Sequence, residues 1–287
     1  MQNWHLFGMT IFKMYYYFWF WSIFGWFLEV VVRTVETGGF ENRGFMNGPY
    51  CPIYGVGVIG IVLTLTPVKS GFVVFWISAI VCTLFELAVG LLLEALFHAK
   101  WWDYSDLKFN YKGYICLRNF IFWGVGCLGV VRFCQPALAK AVSYIPYTLG
   151  NIVAVILSAI FIYDLIESVC EVRNLNNKLR ELDRLARIIH DKSVALGEKI
   201  SDEVLIQKEK YDKLNEKITD NVQISKEKCG KINEKVIEEL SMTTLKYELL
   251  IEQTKKQSRL IRAFPTMKST NYNHMLKIIK EKIGMKK

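Results

Sequence analysis

Long runs without a single charged residue alternate with short polar stretches through the first 168 residues, after which charged residues recur every few positions to the end of the chain. The uncharged runs are Met14–Leu28, Gly44–Val68, Ser70–Phe85, Asn119–Val131 and Ala141–Tyr163. A helix needs roughly 20 predominantly apolar residues to cross about 30 Å of hydrocarbon. The pattern therefore predicts five spans, at about 13–35, 52–69, 71–98, 115–135 and 145–168. The fold class expected is all-α: a polytopic helical membrane domain over 1–168, a long cytoplasmic helix or coiled coil over 169–264, and a basic segment over 265–287. The first run is bulky around Phe18–Phe27 and reads as a retained anchor, not as a signal peptide with a small-residue cleavage site.

The tail has a different rhythm. Starting at Ile189, apolar or small residues recur through Ser193, Leu196, Ile200, Val204, Gln207, Tyr211, Leu214, Ile218, Val222, Ser225, Cys229, Ile232, Val236 and Leu240, every ~3.64 residues on average. That spacing lies nearer the ~3.67 of an eleven-residue repeat than the 3.5 of a left-handed coil. Ser193, Gln207 and Ser225 interrupt the stripe, and Lys and Glu fill its flanks, so it is too narrow for a globular core. Three readings stand: a coiled coil formed with a second copy or another helix, an amphipathic helix on anionic lipid, and a solitary solvated helix. Gly197 and Gly230 weaken the helix locally, and Pro265 ends it. Beyond it Asn273–Lys287, basic with Met275, Leu276, Ile278, Ile279 and Ile283, either touches a membrane surface or frays.

Charge fixes the expected orientation. Residues 1–168 hold 10 Lys/Arg and 9 Asp/Glu, the tail 26 and 18. With the basic tail in the cytoplasm, Arg33, Arg43, Lys100, Lys108, Lys112 and Arg118 gather inside, and Lys13, Lys69, Arg132 and Lys140 remain outside. The positive-inside rule then favours a multi-pass cell-membrane protein, N-terminus out and C-terminal tail in. The loops Gly38–Tyr54 and Phe97–Leu117 fall on the cytoplasmic side. Trp19, Trp21, Trp26, Trp101 and Trp102, near proposed span ends, are expected to anchor at the interface. Acids interleave with the tail's bases and no recognition module occurs, so no nucleic-acid partner is expected. The 7 cysteines form no C-x-x-C pair, which suggests neither a zinc knuckle nor a disulfide framework, and no cofactor is expected.

Ionisable residues within apolar spans are costly and hence functional candidates. Glu29 and Arg33, one helical turn apart, are expected to pair. Cys82, Glu86, Gly90, Glu94 and His98 repeat every four residues along α-helical span three. Glu86 would pair with Arg33 or Arg118; Glu94 and His98, with Asp103 and Asp106 in the next loop, could hold a divalent metal, form a proton relay or simply lie packed as polar groups. Asn42, Arg43, Gly48, Pro49, Tyr50, Cys51 and Pro52 open span two. Its exposed first-turn amides, beside Arg43, could hold a phosphate or carboxylate, although a fixed turn needs no ligand. Gly55, Gly57 and Gly60 permit close helix packing. The sequence contains no G-x-x-x-x-G-K-[ST], G-x-S-x-G or H-E-x-x-H, so no ATPase or hydrolase signature is present.

The strings Gly25-Trp26-x-x-Glu29, Asn42-Arg43-Gly44-Phe45 and Gly48-Pro49-Tyr50-Cys51-Pro52-Ile53-Tyr54-Gly55, followed by Glu86, Glu94, His98-Ala99-x-Trp101-Trp102-Asp103-Tyr104-Ser105 and Cys116-Leu117, resemble the ABC-transporter type IV permeases, the CmpB-like bacterial membrane proteins. The resemblance runs from about Met14 to Pro136 and implies a permease subunit that works with a separate ABC ATPase. The E-A-A-x-x-x-G coupling loop of importer permeases is absent, so the two cytoplasmic loops are expected either to dock a partner or to form an active site. Under the permease expectation Glu29, Arg33, Glu86, Glu94 and His98 line a polar path that a second copy or another subunit completes. The loop residues Asn42, Arg43, Gly48 to Pro52 and Trp101 to Tyr104 then bind an anion or a partner. Two alternatives remain open: a membrane-embedded enzyme acting on a lipid or headgroup through Glu94, His98 and Asp103, and a scaffold that recruits partners through its tail.

Overall fold

In the computed structural model, residues 5–6, 8–213 and 222–285 are described. The chain is almost entirely helical: α1 (Ile11–Thr37), α2 (Pro52–Leu65), α3 (Gly71–Phe97), α4 (Leu117–Gly129), a π-helical turn (Val130–Cys134), α5 (Gln135–Ser143), α6 (Tyr147–Lys213), α7 (Val222–Lys256), α8 (Arg259–Ala263) and α9 (Asn273–Lys282). Two-residue strands pair antiparallel as β1 (His5–Leu6) with β2 (Met9–Thr10), β3 (Ala99–Lys100) with β6 (Lys268–Ser269), and β4 (Asn110–Tyr111) with β5 (Ile115–Cys116). Two compact units result, one reaching residue 174 and including 258–273, the other comprising 175–257 and residues from 274 onward.

In the first unit each uncharged run contains a helix, and local chemistry sets the ends. Thr10 caps α1 by accepting from the Lys13 amide, and Gly38, left-handed at φ 74°, closes it. Ser70 caps α3 in the same way. Pro52 starts α2, where a missing amide hydrogen costs nothing. Pro67 then stops it early, because proline has no N–H to donate and its ring clashes with the preceding turn. With 14 residues α2 is shorter than the span expected at 52–69; it rises about 21 Å. Among the described residues four helices have the length and apolar composition to cross a membrane: Ile11–Val35, Gly71–Phe97, Leu117–Ser143 and the one starting at Tyr147. The third of these runs past the end expected at residue 135. Its π turn lies immediately before Pro136, where the wider winding absorbs the hydrogen bond that proline cannot make.

Helix α1 is the hub of the bundle. Tyr15 and Tyr16 donate to the Ala154 and Gly150 carbonyls of α6, each at 2.8 Å, and the Trp21 indole donates to Gln135 at 3.0 Å. Trp19, Trp21 and Trp101 are buried, and Trp26 donates to Asn42 at 2.6 Å. These tryptophans are thus interior packing and bonding groups in place of the interfacial anchors expected. Trp21 and Trp26 find acceptors, whereas the buried indole N–H groups of Trp19 and Trp101 have no partner among the described residues and their rings pack on Tyr50 at 5.0 Å and Phe264 at 4.9 Å. Helices α1 and α2 approach through glycine. A Cβ on Gly55 would lie 2.6 Å from the Phe18 carbonyl oxygen and 2.3 Å from Ser22 Oγ, and one on Gly25 would lie 2.2 Å from the Tyr54 ring.

In the second unit the tail pattern resolves into two helices where one was predicted. The far part of α6 and α7 lie antiparallel, joined by Glu181–Lys246 at 3.0 Å, Lys192–Glu239 at 2.5 Å and a Lys178–Gln257 hydrogen bond. Leu179, Leu182, Leu185 and Ile251 are buried. The stripe members Ile189, Leu196, Val236 and Leu240 are half-buried, whereas Ile200 and Val204 are exposed. Leu214 and Ile218 lie outside the described residues. A stripe of constant period looks the same whether a helix continues or doubles back. Helix α9 buries Met275, Leu276 and Ile279, so this segment is folded where fraying or a membrane-surface contact was expected.

The glycine contact yields a test. Gly55→Ala forces a methyl against the backbone of α1, and overpacking of this kind costs about 1–3 kcal/mol. Gly60→Ala meets nothing within 4 Å. Thermal unfolding in detergent is expected to show a lower midpoint for Gly55→Ala and an unchanged one for Gly60→Ala.

Candidate functional site

Three carboxylates organise one end of the helical bundle. Glu86 on α3, 6% exposed, accepts from the Tyr104 hydroxyl at 3.1 Å, the Asn119 amide at 3.3 Å and the Trp123 indole at 3.0 Å. All three donors are neutral. Glu29 on α1 accepts from the Tyr54 hydroxyl at 2.6 Å and pairs with Arg43 at 3.4 Å. Arg33 meets Glu41 at 2.9 Å. The expected pairings of Glu29 with Arg33, and of Glu86 with Arg33 or Arg118, are therefore replaced. Residues 38–51 fold back over the end of α1 and bring Arg43 to Glu29, and α4 presents amide and indole donors to Glu86. Burial, with the charges of Glu86 and Glu29 close by, raises the Tyr104 hydroxyl above its ordinary value, which keeps it a proton donor.

The third carboxylate explains the turn before α2. Asp164 on α6, 6% exposed, accepts from the backbone amides of Asn47 and Gly48, each at 2.9 Å, and from the Tyr50 hydroxyl at 2.5 Å. These amides precede α2 and are not the first-turn amides beside Arg43 expected to hold an anion; they are occupied by a carboxylate of the chain itself. Asn42 braces the turn, taking the Trp26 indole and donating to the Asn47 carbonyl at 2.9 Å. Pro49 stands inside the turn, whose Tyr50 amide closes on the Gly48 carbonyl at 2.9 Å. Burial, with Glu29 nearby, pushes the Cys51 thiol up to about 12 against the opposing pull of Arg43, so it stays protonated at neutral pH.

A strap formed by residues 258–273 lies over these loops. Arg259 holds Glu171 at 2.5 Å and donates to the Met46 and Phe45 carbonyls at 3.1 and 3.2 Å. Arg43 donates to the Ala263 carbonyl. The Phe264 ring meets buried Trp101 at 4.9 Å, and β6 extends β3. Asp103 anchors the centre, binding Lys100 at 3.0 Å, Ser105 Oγ at 2.5 Å and Lys268. Glu94 takes the Tyr114 hydroxyl and Thr270. The Trp102 indole donates to the Tyr114 carbonyl at 2.9 Å.

The set Glu94, His98 and Asp103 is not brought together. His98 leaves the helical stripe because it is the left-handed C-cap of α3, at φ 51°, and its side chain is exposed. Among the described residues no group of three or more His, Cys, Asp or Glu could hold a metal ion. Sequence reasoning missed Tyr54, Tyr114, Asn119, Trp123, Asp164, Arg259 and Lys268. Asp164 left the one usable signal, a lone acid immediately after an uncharged run. The rest are ordinary polar residues until the fold places them.

Burial works against the charged form of Asp103, but hydrogen bonds from Lys268, Ser105 and Lys100 outweigh it and hold the carboxyl well below the usual range. A carboxylate with a depressed value contributes stability above its unfolded value, about 3.9, and loses that contribution as the pH falls toward the folded one. Hydrogen exchange of residues 266–270 is therefore expected to stay slow from neutral pH down to about 4 and to quicken only in stronger acid. In Asp103→Asn the strap is expected to exchange faster already at neutral pH. Equal protection in the variant would show that Asp103 does not hold the strap.

Comparison with known proteins adds one match. No curated protein and no solved structure matches the chain. Residues 16–169, which contain Glu29, Glu86, Asp164 and both loops, match the family described as "Putative ABC-transporter type IV". The match covers more than half of the sequence, and the chain belongs to that family of ABC-transporter-type membrane proteins.

Proposed function

We propose that the chain is a permease-like membrane component of an ABC-type transporter, without an ATPase of its own, and that the centre formed by Glu29, Tyr54, Tyr104 and Glu86 belongs to its solute path. The observation that carries this reading is Glu86, a carboxylate deep in an apolar helix that is met only by neutral donors from two other elements. A buried carboxylate without a cation is expensive to keep in a membrane and marks ion or substrate pathways. With Glu29 at the same end of the bundle, the centre offers carboxylate oxygens to a cationic group. The orientation that follows from the basic loops puts the loop end and the strap in the cytoplasm, where an ATPase subunit would dock. Five helices, one of them short, enclose little volume, so a second copy or another subunit completes the path.

Purification of the full-length protein from its native membranes in mild detergent, with identification of co-purifying proteins by mass spectrometry, tests the assignment. A P-loop ATPase is expected in near-stoichiometric amount. Its absence under conditions that preserve known transporter complexes would remove the permease reading. Glu86→Gln keeps the shape of the site and is expected to leave the complex assembled while lowering ATP turnover in proteoliposomes. Unchanged turnover would take Glu86 out of the path.

A further inference from the structure

One helical turn from Glu86, the interface of α3 and α4 buries two thiols against each other. Cys82 Sγ lies 3.6 Å from Cys127 Sγ, within a cluster formed by Ile61, Leu65, Val74 and Val131. Helices α3 and α4 lie antiparallel side by side. The register that sets Cys82 opposite Cys127 also sets Glu86, four residues later, opposite Trp123, four residues earlier, and these two share the 3.0 Å hydrogen bond already described. Filling apolar space at this rung does not require sulfur, since two small apolar side chains would do it. What the thiols add is chemistry, and among the described residues no other sulfur pair is recorded at contact distance.

We propose that Cys82 and Cys127 form a modification site, a dithiol that a small uncharged oxidant of the peroxide class converts to a disulfide joining α3 to α4. The first thiol reacts with peroxide to give a sulfenic acid and one water. The second thiol's sulfur then attacks the sulfenic sulfur, forming the S–S bond, and the departing hydroxyl leaves with that thiol's proton as a second water. Two electrons pass from the thiols to the peroxide, and all protons are accounted for. An uncharged oxidant fits because the pair lies inside apolar spans, closed to bulky or charged thiol reagents. Closing the sulfurs from 3.6 Å to the ~2.05 Å of a disulfide is a small movement for two facing side chains. The bond would fix the register of α3 on α4 one turn from the Glu86 centre, whether or not a solute passes there.

Full-length protein in liposomes, first reduced and then exposed to hydrogen peroxide, provides the test. Remaining thiols are blocked with N-ethylmaleimide in denaturant, and the digest is read by mass spectrometry without reduction. The expected result is a linked Cys82–Cys127 peptide in most molecules, reversed by a reductant. The unfolding midpoint should also rise by several degrees over the reduced protein, a rise lost in Cys127→Ala. Recovery of both cysteines carrying maleimide, while exposed Cys134 or Cys170 is oxidised, would overturn the proposal. So would Cys82 appearing as a sulfinic acid without a link. Because the linked peptide is read on the unsubstituted chain, the result stands even if Cys127→Ala fails to fold.

Discussion

The carboxylate of Asp164 sits at the end of the apolar part of α6 and receives the Asn47 and Gly48 amides and the Tyr50 hydroxyl. An ionised group in such surroundings is tolerable only when its lone pairs are filled by fixed donors, and water cannot supply them there. This constraint accounts for the shape of the first loop. The loop must return into the end of the bundle, expose two successive amides and bring a tyrosine inward. Gly48 allows the close approach, because a Cβ there would stand 3.1 Å from Asp164 Oδ2 and collide with the Tyr50 ring. Glu86 imposes the same demand on the second loop, which answers with Tyr104, and on α4, which answers with Asn119 and Trp123. Loops that would otherwise be plain connections are thereby bound to the membrane helices by the acids the helices carry.

The tail obeys a related rule with a different solution. Its stripe is too narrow to bury itself as a single helix, and each exposed apolar residue left in water forfeits the hydrophobic contribution of its side chain. Antiparallel return of α7 along α6 covers part of the stripe, and Glu181–Lys246 and Lys192–Glu239 flank the contact. Exposed ion pairs of this sort contribute little energy. Their value here is in telling one register from another, since like charges would face each other if the helices slipped.

How much of this could be read from the sequence depends on the range of the interaction. Helices follow from uncharged runs and their caps, which are local, and each of the five runs holds one. The end of α2 at Pro67 is equally local. The π turn before Pro136 is less so, because proline can stop a helix or be absorbed by wider winding, and only packing on α1 through Gln135 decides. Partner choice is least legible. Glu29 and Arg33 satisfy the i, i+4 rule, yet Arg43 and Tyr54 compete for the same carboxylate from elements brought near by folding. Glu86 has several basic residues within reach of a guess, and the fold offers it none of them. The carboxylate that fills the turn before α2 left no local trace in that turn, because Asp164 comes from more than a hundred residues away in the chain.

The strap connects the family-matched segment to the part of the chain beyond it. Asp103 lies within the matched residues 16–169, yet one of its two lysine partners, Lys268, comes from outside. Arg43 goes further. Its guanidinium donates to the strap carbonyl of Ala263, pairs with Glu29 at 3.4 Å and stands 5.9 Å from the Phe264 ring centre. One side chain therefore senses both the strap and the polar centre. Part of the guanidinium's bonding capacity is thus committed to residues beyond the family-matched segment, and part to a carboxylate within it.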